Sequence, residues 1–379
     1  MPSSIKTTFA ITILFFISCT SSKQLANTGD ISHLKFLSEY DIPYNKEFQN
    51  TVVGGLSSID YDAANNIYYV ISDDRSERNA ARFYKAQINI SNNKIDSVHF
   101  LEAVFLKNKE GKIYPGVKTD PSHTPDPEAL RYNPRTQTLT WSSEGERIVK
   151  DNNLVLEDPS VTDISLAGNY LDTFEIPSQM HMRSQQTGPR RNGVFEGLAF
   201  ADNYKYLFVN VEEPLYNDGS RAGLNDSTGI IRIIKFDAGS KKALAEYAYT
   251  IDPVAYPPNP EDAFIINGIP DILSLGKNKL LVTERSFSTG RAACTIRLYL
   301  ADLSHAEDVS RMNSIKDKAV KMVTKKLLLN MDDLKIYIDN IEGATFGPTL
   351  ANGHRSLLFI SDNNFDSRQK TQVLLFEVD

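Results

Sequence analysis

The chain has 379 residues, an apolar content of 41% and a formal net charge of −7, from 41 basic and 48 acidic residues. This length and composition predict a folded core. The net negative charge and the lack of any run rich in Lys or Arg argue against a nucleic-acid partner, and we expect none.

The first eighteen residues are predicted to be a signal peptide. Lys6 is their only charge, residues 9–17 are almost wholly apolar, and Ser18 directly precedes Cys19. A basic start, a short apolar core and a small residue before the cleavage point are typical of secretory signals. The apolar stretch is too short to span a bilayer as a stable helix. Plain secretion and an uncleaved anchor are the alternatives to a lipoprotein signal.

Residues 16–19, Phe-Ile-Ser-Cys, resemble a bacterial lipobox, in which the Cys is lipidated and becomes the first mature residue. Phe16 stands where Leu is usual. We therefore expect lipidation at Cys19, a polar tether over residues 19–32 and a single domain over residues 33–379. The protein is expected to be a monomer that contacts the membrane through its lipid anchor only. Its expected place is the cell envelope of a Gram-negative-type bacterium, at the outer membrane or a periplasmic face.

Five segments of the mature chain repeat one pattern. Each has a short strand, a turn, an apolar strand that ends in an acidic residue, and a third strand after a loop. The segments start 68 to 75 residues apart, at Ser57, Glu128, Glu196, Asp271 and Glu342. A weaker fourth strand is visible in several of them, so the pattern predicts an all-β, five-bladed β-propeller. A sixth blade hidden in residues 146–191 is the alternative.

The last repeat ends after its third strand, over residues 372–378. Residues 33–40, ahead of the first repeat, alternate like a fourth strand and resemble residues 169–174 of the second repeat. We therefore expect the N-terminal strand to complete the last blade and close the ring. Closure would remove the exposed edges that an open sheet presents.

The recurring acidic residues form two columns. In a propeller blade the first strand lies nearest the axis, and the second runs antiparallel beside it. The start of the first strand and the end of the second therefore lie at the same face of the ring. The first column is Ser57, Glu128, Glu196, Asp271 and Glu342, and the second is Asp73, Glu144, Glu212, Glu284 and Asp362. Nine carboxylates are thus expected around one mouth of the channel, unless they cap turns or accept backbone N–H bonds between blades.

Carboxylates crowded at one mouth favour a bound cation. Like charges this close raise each other's pKa unless a cation or an arginine compensates them. Hard divalent cations, above all Ca²⁺, take six to eight oxygen ligands from carboxylates and backbone carbonyls. We therefore expect calcium as the cofactor. The expected metal ligands are Asp73, Glu128, Glu196, Glu342 and Asp362.

Other acidic residues of the second column are expected at catalytic positions, and arginines near the columns are expected to bind the substrate. A metal ion can bridge a phosphate group while an arginine holds it by paired N–H groups. The expected catalytic residues are Glu144, Glu212 and Glu284. The expected substrate-binding residues are Arg75, Arg285 and Arg368, although the first two could merely pair with their neighbours. Glu157 is expected in a loop away from the mouth.

Five motifs belong to these repeats. They are Gly-Leu-Ser-Ser-Ile-Asp-Tyr-Asp (55–62), Ile-Ser-Asp-Asp-Arg (71–75), Asp-Pro-Glu-Ala-Leu (126–130), Phe-Glu-Gly-Leu-Ala (195–199) and Ile-Glu-Gly-Ala-Thr-Phe (341–346). Together they resemble the phytase-like family, also called "esterase-like activity of phytase", over roughly residues 33–379. The resemblance implies a β-propeller and the hydrolysis of phosphate or other esters. We therefore expect an envelope-anchored, metal-dependent hydrolase with a small-molecule phosphate or ester substrate. A non-catalytic propeller that binds a ligand or a protein at the same mouth is the alternative, because one fold hosts many functions.

Overall fold

Five four-stranded antiparallel sheets form a ring in the computed structural model, which describes residues 31–150, 153–225 and 229–379. The innermost strands of neighbouring sheets contact each other in sequence around the ring. The protein is thus an all-β, five-bladed propeller, as the repeats predict. Within these described residues, two 3₁₀ helices, Ser178–Met180 and Met331–Leu334, lie in connecting segments.

The blades follow one another in chain order, and the first strand of each blade lies nearest the axis. Blade 1 consists of β4 (Leu56–Asp62), β5 (Ile67–Ser72), β6 (Arg82–Ser91) and β7 (Lys94–Phe105). Blade 2 consists of β8 (Pro127–Asn133), β9 (Thr138–Ser143), β12 (Ser160–Ser165) and β13 (Tyr170–Thr173). Blade 3 consists of β14 (Phe195–Ala201), β15 (Tyr206–Val211), β16 (Ile230–Asp237) and β17 (Ala243–Thr250). Blade 4 consists of β18 (Ile265–Gly276), β19 (Lys279–Ser288), β20 (Thr295–Asp302) and β21 (Thr324–Asn330).

Blade 5 is closed by the start of the domain. It consists of β22 (Asn340–Thr349), β23 (Arg355–Asp362), β24 (Thr371–Val378) and β1 (Leu34–Ile42). The register of β1 on β24 runs antiparallel from Leu34 opposite Val378 to Ile42 opposite Thr371, which confirms the predicted closure. Ile31, two residues before the expected domain boundary, is also buried.

Two short hairpins lie outside the blades. One is β2 (Glu47–Phe48) with β3 (Thr51–Val52), and the other is β10 (Glu146–Lys150) with β11 (Asn153–Glu157). The second hairpin is inserted between β9 and β12 of blade 2. Residues 146–191 therefore hold this hairpin and the two outer strands of blade 2, and the six-bladed alternative is wrong.

The hydrophobic core lies between neighbouring blades. Inner strands are buried on both faces, as in β14, whereas an outer strand such as β7 alternates between buried and exposed residues. Trp141 of blade 2 belongs to one cluster with Tyr69 and Phe83 of blade 1. The rings of Phe174 in blade 2 and Phe236 in blade 3 meet edge to face with centroids 5.4 Å apart. The two-residue alternation seen in the sequence is what a strand packed on one face requires.

A buried arginine and a buried aspartate connect the inner strands of all five blades. Nη2 of Arg131, in blade 2, lies 2.6 Å from Oδ1 of Asp271, in blade 4. Arg131 also donates from Nη1 to the carbonyl of Ile59 in blade 1, at 2.8 Å, and from Nε to that of Leu198 in blade 3, at 2.6 Å. The backbone N–H of Ala344 in blade 5 donates to Oδ2 of Asp271 at 2.8 Å. We call these two residues the axial pair.

The membrane-related predictions concern residues that the structure does not describe. The signal peptide over residues 1–18, the lipidated Cys19 and the tether up to residue 30 all lie outside the described residues. Among the residues that are described, no helix has the length and apolar character needed to cross a membrane. The anchor therefore stays a prediction.

Candidate metal and substrate site

A β-bulge recurs at the start of the inner strands and directs the first-column residue of four blades, a serine in blade 1 and a glutamate in blades 2, 3 and 5, towards the channel mouth. The register shifts around Ser57, Glu128, Glu196 and Glu342, directly before the regular pairing of blades 1, 2, 3 and 5 begins. A bulge leaves its extra residue unpaired and redirects its side chain. The first column thus follows from backbone geometry that these four blades share.

Blade 4 departs from the columns that the sequence predicts. Ile272 pairs with Val282 in the way that Leu198 pairs with Val209 in blade 3. Pro270, two residues before Ile272, therefore takes the first-column position that Glu196 has in blade 3. Arg285, three residues after Val282, takes the second-column position that Glu212 has there. Asp271 belongs instead to the axial pair, so its assignment to the first column is wrong.

Glu284 also lies outside the mouth, and the structure does not support a catalytic position for it. One of its oxygens accepts hydrogen bonds from the Tyr249 hydroxyl, at 2.8 Å, and from the ammonium group of Lys325. The other accepts from the backbone N–H of Asp252, at 3.0 Å, and from Nδ2 of Asn267, at 3.1 Å. Neighbouring residues on a strand point to opposite faces, so with Arg285 at the mouth Glu284 must point away.

The other seven predicted carboxylates come together with an eighth, Asp126. They form three groups in which the ligand atoms lie within 4.8 Å of one another, and each group could hold a metal ion. The groups are Asp73, Glu342 and Asp362; Asp126, Glu128 and Glu144; and Glu144, Glu196 and Glu212. We call these eight residues the carboxylate cluster. Asp126 was missed because the columns took one residue per strand, although it stands in the Asp-Pro-Glu motif directly before Glu128.

Burial perturbs the protonation of the cluster. It raises the pKa of Glu144 to about 7, with the nearby charge of Glu212 acting in the same direction. Burial and the neighbouring Asp362 raise the pKa of Glu342 to about 8, and burial raises that of Asp362 to about 6. Burial also raises the pKa values of Asp73, Asp126, Glu128 and Glu196, and neighbouring carboxylates raise them further. At Asp126 the charge of Arg75 acts in the opposite direction. If all of its carboxyls were ionised, the cluster would therefore carry more negative charge than its surroundings compensate.

Arg285 lies between two blades of the cluster. Its Nη2 donates to Oε1 of Glu212 and its Nη1 lies 3.0 Å from Oε1 of Glu342. Burial alone would lower the pKa of the Arg285 guanidinium, but these carboxylates raise it. Its Nε is buried and has no hydrogen-bond acceptor among the described residues.

Arg75 lies on the opposite side of the cluster. Its Nε is 3.3 Å from Oδ2 of Asp126, and its Nη1 donates to Oε2 of Glu146 at 2.8 Å. Its Nη2 is buried without an acceptor in the described part of the chain. Arg75 and Arg285 thus pair with neighbouring carboxylates, which was the alternative interpretation, and each still has an unused N–H group.

Two further sequence expectations differ from the structure. Arg368 is 86% exposed at its side chain and pairs with Asp366 on a surface loop, so it is not brought to the cluster. Glu157 lies on β11 rather than in a remote loop, and its pKa responds to the charges of Arg75 and Asp126. Glu157 therefore belongs to the surroundings of the mouth.

Without divalent cations, we expect the free energy of unfolding to fall as the pH rises from about 5 to about 8. A carboxyl whose pKa is higher in the folded state binds more protons when folded, so its stabilising contribution is lost as the pH rises through the folded pKa. The values of about 6 to 8 at Asp362, Glu144 and Glu342 set this window. A tenfold change in proton affinity on folding corresponds to about 1.4 kcal/mol, and the total over these coupled carboxyls is on the order of several kcal/mol.

Thermal unfolding in chelator at a series of pH values measures this dependence. Glu342→Gln should flatten the curve, since it removes one of the titrating groups. A melting temperature that rises steadily from pH 5 to 8 would contradict the expected protonation of the cluster.

Comparison with protein families finds one matching family model, described as "Phytase-like: Esterase-like activity of phytase", over residues 51–365. The matched range contains the whole carboxylate cluster, together with Arg75 and Arg285. No curated protein sequence matches the chain.

Solved structures resemble the chain at low identity. The endo-arabinase of Bacteroides thetaiotaomicron has a TM-score of 0.41 and 10% identity, over 88% of this chain and 96% of its own. An exo-β-1,3-galactanase from Phanerochaete chrysosporium has a TM-score of 0.46 and 9% identity, over 90% of this chain and 64% of its own. The periplasmic gluconolactonase of Pseudomonas aeruginosa has a TM-score of 0.36 and 9% identity, over 86% of each chain.

Proposed function

The chain belongs to the phytase-like family, and we propose that it is a calcium-dependent hydrolase of phosphate or other esters. The proposed site is the carboxylate cluster with Arg75 and Arg285. The observation that carries the proposal is the meeting of eight buried or half-buried carboxylates with two arginines that keep unused N–H groups. Anionic oxygens and free guanidinium donors at one mouth fit a cation and an anionic ester together.

The donor atoms fit calcium. All of them are carboxylate oxygens, which are the ligands that Ca²⁺ takes, and there is no nitrogen or sulfur donor in the three groups. Oε2 of Glu342 is buried and lacks a hydrogen-bond partner among the described residues. An oxygen of this kind in a low-dielectric site is stabilised by a cation. The residues that would hold calcium are Asp73, Asp126, Glu128, Glu196, Glu342 and Asp362.

The protein's own side chains would bind the substrate and accept the proton of the attacking water. Bound calcium supplies a Lewis acid that stabilises negative charge on the reacting ester and lowers the pKa of water. Arg75 and Arg285 would hold the anionic group through their unused N–H donors. Glu144 would accept the proton of the attacking water, because a pKa of about 7 suits a general base at neutral pH. Backbone N–H groups of Gly193 and Val194 donate to one oxygen of Glu144 and fix its orientation.

We also propose that the mature protein is a monomer anchored in the cell envelope through lipid on Cys19. This part rests on the sequence features of residues 1–19 alone. Labelling cells with a clickable fatty acid tests it, since Cys19→Ser should abolish the label.

The proposed function predicts that calcium both stabilises the protein and is required for hydrolysis. Protein lacking residues 1–19 would be assayed on 4-nitrophenyl phosphate and 4-nitrophenyl acetate, with calcium and with chelator. Calcium at a hundredfold excess over its dissociation constant adds about 2.7 kcal/mol, a shift of roughly a few degrees in melting temperature. Glu144→Gln should lower the hydrolysis rate about a hundredfold or more, as expected for the loss of a general base.

The matched control is Glu102→Gln. Glu102 is an exposed carboxylate on the outer strand of blade 1 that pairs with Lys85, so its loss should change neither the rate nor the calcium shift. Suppose calcium gives no shift and chelator leaves any hydrolysis untouched. The cluster would then be architectural, and a non-catalytic propeller that binds a ligand at the same mouth would be the better description.

A further inference from the structure

The inserted hairpin β10–β11 brings another carboxyl to the edge of the cluster. The hairpin starts directly after Gly145, whose φ is +71° and where a Cβ would lie only 2.2 Å from the carbonyl oxygen of Glu157. Glycine is therefore needed for the hairpin to fold back at this point. Glu146 and Glu157 are directly opposite in the register, so their side chains lie on the same face.

The two carboxyls of this pair have different surroundings. Glu146 accepts hydrogen bonds from Nη1 of Arg75 and from Nε of Arg191, both at 2.8 Å. Oε2 of Glu157 is buried and has no partner among the described residues. Nη2 of Arg75 is likewise unused. An unpartnered carboxyl oxygen and an unpartnered guanidinium N–H thus occur together on the side of the cluster where Arg75 lies, and Arg75 is one of the two arginines proposed to hold the substrate.

These surroundings shift the pKa values of the two carboxyls in opposite directions. Burial raises the pKa of Glu157 to about 8, although the charge of Arg75 acts in the opposite direction. For Glu146 the effect of burial is outweighed by Arg191 and Arg75, which lower its pKa. The charged and titratable groups that act on or face Glu157 are Arg75, Tyr114, Asp120, Asp126 and Glu146. Paired carboxyls whose environments push their pKa values apart are the usual arrangement of an acid beside a base.

We propose that Glu157 is a catalytic residue that donates a proton to the leaving-group oxygen of the ester. This inference rests on the proposed function and deepens it. The oxygen of water forms a bond to phosphorus, and the bond from phosphorus to the ester oxygen breaks. Glu144 takes the proton that water loses, and the ester oxygen takes the proton of Glu157 and leaves as a neutral alcohol. Glu157 then regains a proton from solvent and Glu144 releases one, so no other reactant is needed.

The test compares two substrates that differ in their need for a proton. Glycerol 2-phosphate releases an alkoxide that must be protonated, whereas 4-nitrophenyl phosphate releases a phenolate that is stable without a proton. Glu157→Gln should lower kcat on glycerol 2-phosphate by about a hundredfold or more and change kcat on 4-nitrophenyl phosphate little. Glu102→Gln should leave both unchanged. An equal loss on both substrates would overturn the proposal and make Glu157 a positioning residue.

A second measurement separates this proposal from the proposed function. In protein labelled with ¹³C at the glutamate carboxyls, the resonance missing from Glu157→Gln should titrate near pH 8. A resonance that titrates near pH 4 to 5 would overturn the proton-donor role even in an active enzyme. If wild-type protein hydrolyses neither substrate, both the proposed function and the donor role are contradicted, whatever the pH at which the Glu157 resonance titrates. Glu157→Gln and Glu102→Gln should both retain the wild-type melting temperature within a few degrees.

Discussion

A chain that begins at Pro43 is expected not to form a soluble monomer, whereas a chain that begins at Ile31 is expected to fold. Strand β1 pairs with β24 on its outer side, and every residue of β24 is buried. Its loss would expose a row of unpaired backbone groups beside an apolar strand, which is a template for aggregation. It would also remove the buried side chains of Leu34 and Ile42 from two core clusters.

Size-exclusion chromatography and thermal unfolding of the two chains measure this effect. A synthetic peptide of residues 31–42, added during refolding, should restore a soluble monomeric species, because it supplies the missing strand in trans. A truncated chain that stays monomeric with an unchanged melting temperature would show that closure by β1 contributes little.

Replacing the axial arginine is expected to produce a large loss of stability from a single substitution. Arg131 and Asp271 are 4% and 1% exposed at their side chains, so Arg131→Met leaves Asp271 as an uncompensated buried charge. Breaking a buried pair in this way costs about 3–5 kcal/mol. For a domain of this size the melting temperature should fall by roughly 5–10 °C.

Two variants provide the comparison. The double variant Arg131→Met with Asp271→Asn should recover part of the loss, since no buried charge is left unpaired. Lys85→Met removes an exposed pair with Glu102 and should cost less than about 1 kcal/mol. If Arg131→Met costs no more than Lys85→Met, the axial pair does not hold the blades together.

The architecture could be read from the sequence because its signals are local. Strand alternation, turn residues and a repeat of about seventy residues are sufficient to count blades, and an unpaired strand at each end of the domain indicates closure. The first-column glutamates of blades 2, 3 and 5 followed from the same repeat, since the bulge occurs at the same place in each of those blades.

Blade 4 could not be predicted in this way. Alignment by residue type matched Asp271 and Glu284 with acidic residues of other blades, whereas the hydrogen-bond register puts Pro270 and Arg285 there. A one-residue shift in register moves every side chain of a strand to the opposite face of the sheet. Only the hydrogen-bond pairing between the strands shows which register is present. The position of Glu157 was missed for a related reason. The pairing within the inserted hairpin places Glu157 opposite Glu146, beside the mouth, and this pairing is not evident from the sequence.

The direction of β1 decides which side of the ring the preceding chain leaves from. Leu34 pairs with Val378, at the end of blade 5 opposite the carboxylate cluster, and Ile42 pairs with Thr371, at the end near it. Residues 19–30 would reach at most about 40 Å when fully extended. If the proposed lipid on Cys19 anchors the chain, the tether would join the ring on the side opposite the mouth, which would leave the mouth accessible from the aqueous compartment. Substrate would then arrive by diffusion through that compartment rather than from the lipid leaflet, and its products would return to the same side.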